Sequence, residues 1–158
     1  MGREPSPSDR DGPQTPMAAP VLLLVEDNAD DEALIRRALG IQRPDVSLIV
    51  ARDGRQALDL LQPPASAPGL DAALVILDLE LPAVDGFEVL RCLRAQPATR
   101  RLPVAVLTAS IREADRDRAC ALGADAYHRK PVEFRELMGI VEQLAARWLP
   151  AAPAAGGR

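Results

Sequence analysis

Leu74-Val75-Ile76-Leu77-Asp78-Leu79-Glu80-Leu81-Pro82, followed by Asp85-Gly86, holds an apolar run that ends abruptly on a carboxylate. Large apolar residues without alternation read as a strand buried on both faces of a parallel sheet. Sheets of that kind bind ligands at the carboxyl edge of their strands, so Asp78 is expected to emerge there as a working group rather than a surface charge.

On either side of this strand, short apolar runs alternate with longer stretches of helical period, the pattern of βα units around a parallel sheet. Strands are expected at Val21 to Val25, Val46 to Ala51, Ala73 to Leu77, Pro103 to Leu107 and Asp125 to His128. The first helix pairs Leu34 with Ala38 and Ile35 with Leu39 as one apolar stripe. A second starts at Asp53 and turns Leu58, Leu60 and Leu61 inward, and a third follows Asp85-Gly86 with Val89, Leu90 and Leu93. The fourth runs from about Glu113 to Leu122, with Gly123 as its stop. The fifth sets Phe134, Leu137, Met138, Val141, Leu144, Ala145 and Trp148 on one docking face. Residues 63–69, a proline-rich connection, are long for a unit whose loops run ~2–6 residues.

A chain of 158 residues suits one domain, expected over residues 21–149. Five prolines and no hydrophobic period in residues 1–20 predict a disordered tail, and residues 150–158 read as a flexible Ala/Pro/Gly tail without an output domain. The net charge of −4 offers no bulk attraction to nucleic acid. No apolar run reaches the ~18 residues of a membrane helix, so the protein is expected in the cytoplasm and off the membrane. Cys92 and Cys120 both fall in helical patterns and read as packed free thiols.

Glu26 and Asp27 follow the first strand as Asp78 follows the third, so three acids should converge at one sheet edge. Their mutual repulsion calls for a cation, and Mg2+ suits few carboxylates with open positions for water and phosphate oxygen. Thr108 ends the fourth strand and Lys130 follows the fifth, immediately before Pro131. A carboxylate nucleophile, a metal, a hydroxyl and a fixed positive charge are the parts of a phosphoryl-transfer site, which points to phosphorylation of Asp78.

Val25-Glu26-Asp27-Asn28, Leu77-Asp78-Leu79-Glu80-Leu81-Pro82 with Asp85-Gly86, Thr108-Ala109 and Lys130-Pro131 together resemble the receiver domain of two-component response regulators. The likeness implies an α/β, three-layer (βα)5 flavodoxin-like fold with a parallel five-stranded sheet in the order 2-1-3-4-5. It implies a non-enzymatic signalling protein that takes a phosphoryl group on Asp78 from a sensor histidine kinase, and that can pass it to a histidine phosphotransfer protein. Glu26, Asp27, Asp78 and the Glu80 carbonyl would hold Mg2+, while Thr108 and Lys130 would grip the phosphoryl oxygens. The resemblance also implies a switch in which Thr108 moves and Tyr127 turns inward, and a cis bond before Pro131.

The opening Leu24-Val25-Glu26-Asp27-Asn28-Ala29-Asp30-Asp31, the long connection before the third strand and the Trp148-Leu149 ending are similar to stand-alone regulators paired with bacterial phytochromes. Those regulators tend to dimerise, which implies a homodimer here.

Each residue has a plainer reading alone. Glu26 and Asp27 would favour the dipole of the following helix, with Asn28 or Asp30 as its cap. Lys130 would be a solvated lysine, Tyr127 a half-buried strand residue, and Glu80 a side chain facing solvent. Two other functions share some of the signals. A haloacid-dehalogenase-like phosphatase also uses an aspartyl phosphate, but places its nucleophile after the first strand and a second aspartate two places later, where this chain has Glu80. A degenerate receiver would lack one of the site positions.

Overall fold

The computed structural model describes residues 18–154, so most of the predicted N-terminal tail and the last four residues of the C-terminal one lie outside the described residues. Among the described residues five strands and five helices alternate: β1 (Val21–Val25), α1 (Ala29–Gln42), β2 (Ser47–Ala51), α2 (Gly54–Leu61), β3 (Leu74–Leu77), α3 (Gly86–Ala95), β4 (Val104–Thr108), α4 (Glu113–Ala121), β5 (Ala126–Arg129) and α5 (Phe134–Trp148). All pairings are parallel and the order is β2-β1-β3-β4-β5, the expected flavodoxin-like arrangement. Every strand expected from sequence is present, with ends displaced by at most one residue.

The pleat sorts side chains between two helical layers. From β1, Leu22 and Leu24 point toward α1 and α5, where they meet Leu74, Ile76, Ala105 and Leu107 from the neighbouring strands. Leu23 and Val25 point the other way, with Val75 and Leu77, onto α2 and α3. A smaller cluster of Val106, Leu79, Phe87 and Ala119 seats α4. Because β1, β3 and β4 are covered on both faces, their strands are continuously apolar, and the polar residue that ends each run marks the sheet edge.

Helix starts follow from side-chain caps. Asn28 Oδ1 accepts from the amides of Asp30 and Asp31 at 2.9 and 3.0 Å. Asp53 caps α2 through the Gln56 amide at 2.7 Å, and Asp85 caps α3 through the Glu88 amide at 2.9 Å. Gly123, with φ +100°, ends α4 in the left-handed conformation that glycine tolerates.

Three expectations need correction. Leu34 is exposed, because the buried stripe of α1 is carried by Ile35, Ala38 and Leu39, and Leu34 lies one helical step, about 100°, off Ile35. Cys120 is exposed rather than packed, since α4 buries only Ala119. The described residues contain no cis peptide bond, so the Lys130–Pro131 bond is trans. Trans is the preferred form even before proline, by about 0.5–1 kcal/mol, and Lys130 reaches its partners through it.

Candidate functional site

The carboxyl ends of β1 and β3, neighbours at the centre of the sheet, deliver Glu26 and Asp78 side by side. The Asp78 amide donates to the Val25 carbonyl oxygen at 3.1 Å, and the Glu26 amide donates to that of Ala51 at 2.9 Å, so the ladder extends one residue past each strand. Both side chains are almost wholly out of solvent, whereas Asp27 is exposed. One carboxylate oxygen from each of Glu26, Asp27 and Asp78 lies within 4.8 Å of the others.

Lys130 enters from the end of β5. Its Nζ lies 2.8 Å from Glu26 Oε2, 2.8 Å from Asp31 Oδ2 and 2.9 Å from Asp78 Oδ2. The remaining oxygens are held by backbone amides: Glu26 Oε1 accepts from Asn28 at 3.0 Å and Asp78 Oδ1 from Glu80 at 3.2 Å. Burial pushes the Glu26 carboxyl up to about 7, against the lowering pull of Lys130. Lys130 is held above its ordinary range by its hydrogen bonds to Asp31, Glu26 and Asp78, which outweigh its own burial.

Thr108 closes β4 at the same edge, fully buried, and its Oγ1 accepts from the Ser110 amide at 3.3 Å. Its carbonyl oxygen accepts from the Lys130 amide at 2.7 Å, which ties the hydroxyl-bearing and ammonium-bearing segments together. Tyr127 is half-buried against the α4 cluster, beneath the Arg116 guanidinium at 5.7 Å. Burial raises its pKa. Neither Thr108 nor Tyr127 is bonded to the acids among the described residues. Glu80 is exposed, as expected of its side chain.

Asp31 was not anticipated as a site residue. It sits in the first turn of α1, and only the Asn28 cap, which sets the phase of that turn, aims its carboxylate at Lys130. Sequence offered a faint signal in the acid pair Asp30-Asp31 after the cap, which is equally the signature of dipole compensation.

The donor set suits a divalent cation. Glu26, Asp27 and Asp78 bring their carboxylate oxygens together, the one ammonium among them is shared by Glu26 and Asp78 with Asp31, and burial displaces the Glu26 carboxyl toward neutrality. All the candidate ligand atoms are hard oxygens, the preference of Mg2+ and Mn2+ rather than of softer metals.

Known proteins of one family resemble the chain in sequence and fold. Residues 22–142 match the family described as "Response regulator receiver domain". The chain is 36% identical over 130 residues to "Response regulator Rcp1" of Synechocystis sp., covering 82% of this chain and 88% of that protein. The solved structure of the phosphorylated cyanobacterial phytochrome response regulator RcpA superposes with a TM-score of 0.77 at 35% identity, covering 86% of this chain and 98% of the other. The Mn2+-bound form of Rcp1 gives a TM-score of 0.74 at 35% identity, covering 85% and 99%. The chain also spans about half the length of several longer transcriptional regulatory proteins.

Proposed function

The chain belongs to the response regulator receiver family, and from that premise we propose that Asp78 accepts a phosphoryl group from the phosphohistidine of a sensor histidine kinase. The observation that carries this reading is the single ammonium of Lys130 shared among Glu26, Asp31 and Asp78 at 2.8–2.9 Å, beside a three-acid cluster able to hold a metal.

In the transfer, a carboxylate oxygen of Asp78 attacks phosphorus, the phosphorus–nitrogen bond of the donor breaks, and the imidazole nitrogen leaves with the electron pair. The product is an acyl phosphate on Asp78 and a donor histidine that leaves neutral because its other ring nitrogen carries a proton. Lys130 turns one N–H from a carboxylate to a phosphoryl oxygen, where a charge-assisted bond is stronger than a neutral one. Thr108, whose hydroxyl is tied only to a nearby amide, is free to donate to a second phosphoryl oxygen. Mg2+ bound to Glu26, Asp27, Asp78 and the Glu80 carbonyl would neutralise charge on the phosphoryl oxygens. Buried walls on either side of Asp78 limit water and protect the product.

The protein is thereby a signalling element that reacts with its donor rather than an enzyme that turns over a substrate. Its output passes through the face around α4, β5 and α5, where Tyr127 lies half-buried beneath the Arg116 guanidinium. The relatives' names favour a phytochrome as the kinase. A homodimer is part of the reading, and Trp148, half-buried with the Arg147 guanidinium 4.4 Å from its ring centroid, offers a flat edge for it. Light scattering with and without phosphorylation tests that point.

Incubation with a radiolabelled, phosphorylated sensor kinase tests the transfer. Label should move to the parent and not to Asp78→Asn. Transfer to both, or to neither, contradicts the assignment.

A further inference from the structure

Resting on that reading of the site, the geometry points to a role for Asp31: we propose that it is a positioning residue, whose carboxylate keeps hold of Lys130 when a divalent cation takes Glu26 and Asp78. An ammonium has three N–H donors, and Lys130 commits one each to Glu26, Asp31 and Asp78. Two of those acceptors belong to the group of acids that can converge on a metal, and the third does not. Before a cation arrives, Lys130 is the counter-ion of the buried acids. When it arrives, ammonium and cation compete for the same carboxylates and repel each other across a site with little solvent.

Asp31 resolves that competition. It stands on a helix rather than on a strand end, it is a third exposed, and it already contacts Nζ at 2.8 Å. Lys130 can therefore swing its weight onto Asp31 without being left buried and unpaired, and from there still reach a phosphoryl oxygen on Asp78. Without Asp31 the ammonium would be held by Glu26 and Asp78 alone, and every cation would have to displace it into an environment with no replacement acceptor.

A double-mutant cycle on divalent-ion affinity separates this role from a simple change of charge. Mg2+ binding is measured by calorimetry for the parent, Asp31→Asn, Lys130→Met and the double variant, with thermal melting of each. Asp31→Asn should weaken Mg2+ roughly tenfold, a loss typical of coupling between contacting groups, and Asp31→Glu should recover most of it. In the Lys130→Met background the Asp31→Asn substitution should change affinity by less than about twofold, since the partner it acts through is gone. Equal weakening in both backgrounds would mean that Asp31 acts only as one more negative charge, and no weakening in the parent would remove its role altogether. A parent that binds no Mg2+ overturns the site reading and this inference together, whereas a parent that binds Mg2+ without the predicted coupling overturns this inference alone.

Discussion

Lys130 Nζ and Glu26 Oε2 meet at 2.8 Å inside the wall of the site, where the Glu26 side chain is only 1% exposed. The contact holds a lysine from β5's end against an acid from β1's end, across the two strands that lie between them in the sheet. Even with that partner, burial raises the Glu26 carboxyl to about 7 from an ordinary value of 4.5.

A pH dependence of stability follows. With its pKa raised in the fold, Glu26 binds more protons folded than unfolded between about 4.5 and 7, so stability should fall as pH rises through that window. Its contribution should be on the order of 3 kcal/mol. Urea titrations without divalent ions should show this fall in the parent and lose it in Glu26→Gln. Saturating Mg2+ should flatten it, because a bound cation favours the carboxylate. A parent and Glu26→Gln that fall in parallel would rule out Glu26 as the cause.

Gly86 presses on the backbone of the phosphoacceptor loop. A Cβ there would overlap the Asp78 carbonyl oxygen and lie 2.6 Å from Leu79 Cα, neither of which can rotate away. Gly86→Ala should cost about 1–3 kcal/mol or more in chemical denaturation, and should slow phosphorylation of whatever protein remains folded. Wild-type stability with a wild-type rate would show that the loop has room that its geometry denies.

Arg94 is a clamp far from the chemistry. Its guanidinium donates to the carbonyl oxygens of Gly123 and Leu102 at 3.0 and 2.8 Å and to Asp125 Oδ2 at 3.0 Å, pinning the start of β4 and the α4–β5 turn to α3. Arg94→Met should destabilise the fold by about 2–3 kcal/mol. Mg2+ affinity should stay within about twofold of the parent, since the clamp lies at the amino end of β4 and touches none of the site residues. A large loss of affinity at full stability would place Arg94 in the site instead.

The fold was legible because its signals are local and redundant. Leu74 to Leu77 is buried on both sides, and such a run has few alternatives once it is flanked by helical periods. The acids, the hydroxyl and the lysine were legible because strand ends carry them, and parallel strands all end on one edge. Asp31 was not, because its role depends on the rotation of a helical turn that is set by the Asn28 cap. The same uncertainty of phase hid the exposure of Leu34. The trans bond before Pro131 differs from what resemblance implied because nothing local to Lys130-Pro131 dictates the isomer, and the ammonium reaches its three acids without it.

Intact mass after incubation with acetyl phosphate and Mg2+ is the most direct measurement of the central claim. The parent should gain the mass of one phosphoryl group, and neither Asp78→Asn nor the parent in the presence of a chelator should gain it. An unmodified parent, or an Asp78→Asn variant that gains the same mass, would contradict the account.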